Sequence, residues 1–233
     1  MYFIGDVHGR IKQYRSIIRG LPEGSSSLQL GDMGIGFKGV HLYPVGCLLK
    51  GKHLWIRGNH DSPAACRAHP LYRGDYGYDE SEKLFWLGGA WSIDQKWRLE
   101  NVNWWRDEEL SWHDLGAARE LYVSSKPQIV ATHEAPTEAA RLMLTRYCGA
   151  IFESGHEFCA TDEGVREKGP DYLAFKKEVN FQNTRTSQAL QKMLEEWAPR
   201  FWCFGHYHVT KAFKIGETEF QCLGELAVRE INL

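Results

Sequence analysis

The stretch Gly5-Asp6-Val7-His8-Gly9 decides the fold, because it follows a short apolar run and carries side chains that ligate metals. The apolar run is Met1–Ile4, which predicts a buried strand that stops at the first glycine. Residues Ile11–Arg19 come next and place apolar side chains at helical spacing. A strand, a polar turn and a helix in this order predict the first unit of an α/β layered domain.

Four further apolar, β-prone runs also end in polar residues. These predicted strands are Ser27–Leu30, His53–Arg57, Gln128–Thr132 and Phe201–Phe204. The groups that follow them are Gly31-Asp32, Gly58-Asn59-His60-Asp61, Thr132-His133-Glu134 and Gly205-His206-Tyr207-His208. In open α/β sheets, sites form in the crevice outside the carboxyl ends of the strands. We therefore expect five strand ends to deliver Asp, Asn and His side chains to one crevice.

The remaining elements are less regular. The runs Leu84–Leu87 and Ala90–Ile93 flank Gly88-Gly89 and predict a bent strand or a hairpin. The runs Lys211–Ile215 and Thr218–Cys222 predict a second hairpin. A helix capped by Ser187 is expected to run to Trp197. Residues 145–186 form an irregular insertion that suggests a lid or binding loop within a single domain spanning 1–233.

Composition limits the classes of function. The 233 residues are 43% hydrophobic and 25% charged, which is typical of a soluble globular domain. A net charge of −2 disfavours tight non-specific binding to duplex DNA. The six cysteines form no CxxC pair, and no apolar run has the length of a membrane span. These features predict a cytoplasmic protein without a membrane partner, and nothing indicates an obligate protein partner.

The polar groups at the strand ends suit metal ions. Taken singly, each group is better explained as a turn former, a helix cap or a satisfied histidine. Leaving Asp61 and Glu134 aside, they offer two Asp, one Asn and five His, a mixture that matches Mn, Fe or Zn better than the oxygen-only preference of Ca. A single tetrahedral site needs only three or four ligands, so this number favours two ions. A metal pair needs a bridging carboxylate, and Asp32 is the candidate.

The five blocks, in this order from residue 5 to residue 208, resemble those of the calcineurin-like metallophosphoesterases. The resemblance implies a four-layer α/β/β/α sandwich and two divalent ions, with Mn expected and Fe, Zn or Ni as alternatives. It implies that one ion binds Asp6, His8 and His208, that the other binds Asn59, His133 and His206, and that Asp32 bridges them.

The implied reaction is the hydrolysis of a phosphate mono- or diester by a metal-bridging hydroxide. His60 is expected just outside the metals, where it would protonate the leaving oxygen or stabilise the phosphoryl charge. For Asp61 two contacts are equally compatible with the sequence. Its carboxylate would either fix the orientation of an imidazole, which would assist catalysis, or form a turn contact.

Departures from subfamily patterns leave the substrate open. Asp32 continues into Met33-Gly34-Ile35-Gly36-Phe37, so the arginine that clamps phosphate in Ser/Thr protein phosphatases is missing from its place. The stretch Trp86–Asp94, with Trp104-Trp105 downstream, resembles a group of small phosphoesterases from bacteria and phages. The expected partner is a phosphate-ester substrate, including a nucleotide or short nucleic acid. Two alternatives are a nuclease acting on short or single-stranded nucleic acid and a catalytically silent scaffold of the same fold.

Overall fold

The computed structural model describes residues 1–42, 52–143 and 184–232. Within these ranges the chain forms two β-sheets flanked by helices. The strands are β1 (Tyr2–Ile4), β2 (Ser27–Gln29), β3 (His53–Trp55), β4 (Tyr76–Asp79), β5 (Leu84–Leu87), β6 (Ile129–Thr132), β7 (Phe201–Phe204), β8 (Lys211–Ile215), β9 (Thr218–Cys222) and β10 (Val228–Glu230). The helices are α1 (Ile11–Gly20), α2 (Pro63–Arg67), α3 (Trp112–Ser125) and α4 (Arg185–Glu196), with a 3₁₀ turn at Gln95–Trp97.

Both sheets have parallel strands at their centre. The first sheet has the order β10-β1-β2-β3, in which β1, β2 and β3 are parallel and β10 is antiparallel to β1. The second has the order β4-β5-β6-β7-β9-β8, in which β5, β6, β7 and β9 are parallel and the two edge strands are antiparallel. Because parallel neighbours end at the same edge of a sheet, the loops after β1, β2 and β3 leave from one edge, and so do those after β6 and β7.

Alternation of side chains along the strands produces three apolar layers. Phe3 and Leu28 of the first sheet meet Ala131 and Cys203 of the second in a cluster between the sheets. A second cluster packs the other face of the first sheet against α1. A third packs the other face of the second sheet against α3 and α4. The layer order is therefore α/β/β/α, which confirms the predicted fold.

Two of the predicted elements are wrong. Residues 90–93 form no strand. The main chain leaves the sheet after β5, where the amides of Gly88 and Gly89 donate to the carbonyls of Asp75 and Arg57 and Gly89 adopts a φ of 89°. The second error concerns α4, which begins at Arg185 because the hydroxyl of Thr184, and not Ser187, caps it. The predicted irregular insertion is helical from that residue, and its residues 145–183 lie outside the described ranges.

Five of the described elements have no counterpart in the sequence predictions: β4, β10, α2, α3 and the 3₁₀ turn at Gln95–Trp97. Helix α3 is capped by Ser111, whose hydroxyl accepts a hydrogen bond from the amide of Asp114. It buries Leu115, Ala118 and Tyr122 against the second sheet. In the described ranges no helix combines the length and apolarity that crossing a bilayer requires.

Candidate metal centre

The predicted ligands all lie in loops that leave the carboxyl ends of parallel strands. Asp6 and His8 follow β1, Asp32 follows β2, and Asn59 follows β3. His133 follows β6, and His206 and His208 follow β7. The two sheets thus bring these seven residues together from positions as far apart as 6 and 208.

One set, here called the outer group, consists of Asp6, His8, Asp32 and His208. One ligand atom from each of these residues lies within 4.8 Å of the others. The Nε2 atoms of His8 and His208 are 2.9 Å apart. Nε2 of His208 is 3.4 Å from Asp6 Oδ2, and Nε2 of His8 is 3.7 Å from Asp32 Oδ2. The two histidine side chains are each 20% exposed, whereas both carboxylates are buried.

A second set, here called the inner group, consists of Asp32, Asn59, His133 and His206. Nε2 of His133 is 3.1 Å from Asn59 Oδ1 and 3.3 Å from Asp32 Oδ1. The ring centroids of His133 and His206 are 5.0 Å apart, and Nε2 of His206 is 3.6 Å from Glu134 Oε2. His133 is fully buried and Asn59 is 4% exposed.

The donor chemistry of the inner group fits a cation. Nδ1 of His133 is 2.7 Å from the carbonyl oxygen of Leu30, which can only accept, so this nitrogen carries a proton. In a neutral imidazole Nε2 then presents a lone pair to the oxygens of Asn59 and Asp32. Three buried acceptors facing one another require a positive charge between them, either a proton on Nε2 or a metal ion. A divalent ion that takes nitrogen and oxygen ligands meets this requirement.

The electrostatics of the site also favour a bound cation. Burial opposes protonation of His133, but the carboxylates of Asp32 and Asp6 outweigh it and raise its pKa to about 10. For Asp32, burial alone would raise the pKa. The surrounding imidazoles, that of His133 first, outweigh burial and hold this pKa well below its ordinary value. Burial raises the pKa of Asp6 to about 6. The site therefore holds buried carboxylate charge that attracts a cation.

Asp32 lies between the two groups. Its Oδ2 faces His8 at 3.7 Å, and its Oδ1 faces His133 at 3.3 Å. The amide of His60 donates to Oδ1 at 2.7 Å. The two oxygens of one carboxylate thus point at imidazoles of different groups.

The backbone at the site adopts an uncommon conformation. In the described ranges eight non-glycine residues have positive φ, and four of these are predicted ligands. They are His8 at 46°, Asp32 at 56°, His206 at 69° and His208 at 53°. Such conformations cost about 1–3 kcal/mol each and persist where the surrounding structure imposes them. The carbonyl of Asp32 accepts from the amides of both Val7 and His8, which fixes the first of these turns.

Three glycines allow the loops to approach the ligands closely. A Cβ on Gly58 would lie 2.1 Å from Asp32 Oδ1, and one on Gly205 would lie 2.3 Å from Asp6 Oδ1. A Cβ on Gly31, whose φ is 102°, would lie 2.4 Å from His133 Nδ1. These glycines are required because any larger residue would displace a predicted ligand.

Asp61 joins two of the loops. Its fully buried carboxylate accepts hydrogen bonds from the amides of Met33, Gly34, Ile35 and Gly58 at 2.7–3.1 Å. None of its hydrogen bonds in the described ranges reaches an imidazole. Of the two contacts that the sequence allowed, the turn contact is the one observed. Asp61 holds the loop after β2 against the loop after β3, and a direct catalytic role stays a prediction.

His60 lies at the edge of the outer group. Its ring centroid is 5.2 Å from that of His8, and the ring of Phe37 stacks on it at 6.1 Å. Nη2 of Arg98 is 3.0 Å from His60 Nε2, and Nε of Arg98 donates to Asp94 Oδ1 at 2.6 Å. Burial, with the nearby guanidinium, lowers the pKa of His60 well below its ordinary value.

Sequence reasoning did not identify Arg98. The feature that could have revealed it is its spacing of four residues from Asp94, with which it forms an ion pair. Asp94 ends the stretch that resembles small phosphoesterases.

Comparisons with known proteins identify the family of this chain. Residues 1–210 match the family model described as calcineurin-like phosphoesterase. The chain is similar in structure to a phosphopantetheinyl hydrolase (PptH) from Mycobacterium tuberculosis, with 14% sequence identity and a TM-score of 0.45 over 96% of this chain and 89% of that one. It is also similar to GAP50, the anchor in the inner membrane complex of Plasmodium, with 12% identity and a TM-score of 0.41 over 96% of this chain and 71% of that one. No curated protein matches the chain. Because the family model spans most of its length, this chain belongs to the calcineurin-like phosphoesterase family.

Proposed function

We propose that this chain hydrolyses phosphate mono- or diesters with two divalent cations held where the strand-end loops meet. The observation that carries the proposal is the position of Asp32. Its Oδ2 belongs to the outer group and its Oδ1 to the inner group, at 3.7 Å from His8 and 3.3 Å from His133. One carboxylate shared between two ligand sets is what a pair of ions requires.

In this proposal each group holds one ion. Asp6, His8, Asp32 and His208 would hold the first, and Asp32, Asn59, His133 and His206 the second. The mixture of imidazole, carboxylate and amide ligands suits Mn²⁺, which we propose, and also Fe, Zn or Ni. When bound, the ions would lower the pKa of a coordinated water and offset the charge that develops on the phosphoryl oxygens.

The chain's own residues keep the centre cationic. Asn59 contributes a neutral amide, so only the carboxylates of Asp6 and Asp32 offset the charge of two divalent ions. The guanidinium of Arg98, 3.0 Å from His60 Nε2, forms an ion pair with Asp94, so it offers a hydrogen-bond donor at the edge of the outer group and little net charge. A phosphate ester is negatively charged and would be attracted by the two proposed ions.

His60 is the residue that we propose to act on the leaving oxygen. Its amide is fixed by Asp32 Oδ1 at 2.7 Å, and its ring lies between those of Phe37 and His8. These contacts hold the imidazole beside the outer group, within reach of an ester bound there. Proton transfer or charge stabilisation by such a positioned group contributes about 10²–10⁴-fold to a rate.

The test is hydrolysis of p-nitrophenyl phosphate and of bis(p-nitrophenyl) phosphate by the Mn²⁺-loaded protein. We expect turnover of at least one ester. In Asp32→Asn the metal content, measured by mass spectrometry, should fall together with a loss of about a thousandfold in turnover. His113→Ala is the matched control, because this histidine is exposed on α3, away from the centre. Normal metal content in Asp32→Asn would contradict the bridging role.

The same experiment separates the alternatives. No turnover of either ester with Mn, Fe, Zn or Ni, together with no cleavage of oligonucleotides, would favour the silent scaffold. Rapid cleavage of oligonucleotides, with neither small ester attacked, would favour the nuclease.

A further inference from the structure

The side-chain amide of Asn59 has to be oriented correctly to bind a cation. Its Nδ2 donates to the hydroxyl oxygen of Ser92 at 3.0 Å, while its Oδ1 faces His133 Nε2 at 3.1 Å. Turning the amide by about 180° changes its shape little but would point N–H groups at the inner group. The neighbours of Nδ2 therefore decide whether Asn59 presents a lone pair or a proton.

Ser92 fixes that orientation because its only hydroxyl proton is already used. This buried side chain, 1% exposed, donates its hydroxyl to Glu108 Oε2 at 2.5 Å. Its amide donates to Glu108 Oε1 at 2.7 Å. The hydroxyl oxygen can then only accept from Asn59, so the amide nitrogen faces Ser92 and the oxygen faces His133.

Glu108 is held by the same strand end that carries Asn59. The guanidinium of Arg57, two residues before Asn59, donates from Nη1 to the carbonyl oxygen of Glu108 at 2.5 Å and to that of Asp107 at 3.2 Å. Arg57 itself is fully buried. The backbone before Asn59 thus anchors the loop whose carboxylate orients the side chain of Asn59.

The cost of burying Glu108 indicates a role beyond packing. The residue is 2% exposed, and no lysine or arginine side chain in the described ranges forms an ion pair with its carboxylate. A buried carboxylate without a cationic partner is expensive. An apolar side chain could fill the same space, so the retained carboxylate needs another explanation.

We propose that Glu108 and Ser92 are positioning residues whose hydrogen-bond relay holds the amide oxygen of Asn59 toward the inner group. The inference rests on the proposed function in that Asn59 serves there as a ligand. Within the described part of the chain neither residue forms a hydrogen bond with Asp32 or His133, so the relay acts through Asn59 alone.

The test compares Ser92→Ala and Glu108→Gln with the wild-type protein by calorimetric titration of the metal-free protein with Mn²⁺. We choose pH 8, because burial raises the pKa of Glu108 to about 7 and the carboxylate is then mostly ionised. A glutamine at position 108 keeps the volume but can donate to Ser92, which frees the serine proton for Asn59 and reverses its amide. We expect each variant to weaken one of two Mn²⁺ affinities by about 10–100-fold and to leave the other within about twofold.

Ser111→Ala is the matched control. It also removes a serine hydroxyl, but this one accepts from the backbone amide of Asp114 at the start of α3, away from Asn59. Both Mn²⁺ affinities should stay as in the wild type.

A second measurement applies to the metal-free protein. The side-chain NH₂ protons of Asn59, observed by NMR, should exchange slowly with solvent in the wild type and faster in Ser92→Ala. This signature keeps the proposal open to contradiction even if a variant is less stable.

The outcomes separate the two proposals. A wild-type protein that binds no divalent ion would overturn the proposed function. A wild-type protein with two Mn²⁺ sites, both of them unchanged in Ser92→Ala and Glu108→Gln, would overturn only the relay. Equal weakening of both sites would also overturn it, because the relay contacts one group alone.

Discussion

The outer and inner groups share Asp32 but differ in how their other ligands are held. His8 and His208 of the outer group are partly exposed, and the acceptor beside His208 Nδ1 is Glu225 Oε1 at 3.5 Å, also partly exposed. Asn59 and His133 of the inner group are buried, and their partners are Ser92 and a backbone carbonyl. The difference teaches that the predicted ligands Asn59 and His133 are fixed by buried contacts of the fold, whereas His8 and His208 remain accessible to solvent. His206 of the inner group is also partly exposed, and Asp6 of the outer group is buried.

The largest expected effect concerns stability and is confined to the inner group. His133→Ala should lower the free energy of unfolding by about 3 kcal/mol, because it leaves a cavity and an unpaired carbonyl at Leu30. His8→Ala removes an imidazole from the outer group and should cost less than about 1 kcal/mol. Urea unfolding of the metal-free proteins measures both. Equal losses would show that the two groups do not differ in this way.

The next effect concerns turnover at the outer edge. His60→Ala should lower kcat by about a hundredfold while the protein keeps its metals, because the imidazole lies beside the outer group without belonging to either group. Turnover of the more reactive nitrophenyl ester, with metal content measured on the same sample, tests this. An unaltered rate would remove His60 from the mechanism.

A smaller effect concerns Asp75, the carboxylate partner of Arg57. Burial would raise the pKa of Asp75, but Arg57 first, with Arg67 and Tyr72, outweighs it, so this pKa is lowered in the folded state. The stabilisation is therefore present above the ordinary aspartate pKa and is lost as pH falls through the folded value. Asp75→Asn should cost about 1–2 kcal/mol near neutral pH and progressively less in acid.

Unfolding curves at several pH values measure this difference. Asp107→Asn is the control. Its carboxylate is exposed and forms only a long contact of 3.5 Å with Arg67, so its loss should have little effect. A cost for Asp75→Asn that does not depend on pH would contradict the charge-based explanation.

The smallest effect concerns the support of the outer group. Glu225 contacts His208 and forms an ion pair with Arg10. Glu225→Gln should lower the Mn²⁺ affinity of the outer group by about tenfold. This is the low end of the effect of losing a residue that supports a ligand, because solvent can replace the lost contact. Mn²⁺ titration measures this, with Glu217→Gln in the exposed β8–β9 turn as the control. A larger loss of Mn²⁺ affinity at the inner group than at the outer group would contradict the proposed assignment of ligands.

The candidate side chains could be found from sequence because each lies within four residues of an apolar strand, whereas their assignment to two ions came from the family resemblance. Asp6 and Asp32 follow their strands so closely that the strand and the side chain are read together. The hairpin of β8 and β9 was predicted for the same reason, since its turn and both strands are contiguous. Short-range patterns were sufficient for these features.

The supporting residues could not be found this way because their contacts are long-range. Asn59 and Ser92 are 33 positions apart, and Arg57 and Glu108 are 51 positions apart. No periodicity links such pairs before the chain is folded. The strands β4 and β10 escaped prediction for a different reason, because they lie at sheet edges and have no fully buried residues to produce an alternating pattern.

The absence of side chains at Gly31, Gly58 and Gly205 has a consequence for how this centre can diversify. Each of these positions leaves less than 2.5 Å between a hypothetical methyl group and a ligand atom on another loop. A substitution in one loop would therefore displace a ligand carried by a different loop. New specificities are more accessible through residues at the edge of the outer group, such as Phe37, whose ring stacks on that of His60, than through the loops that carry the predicted ligands.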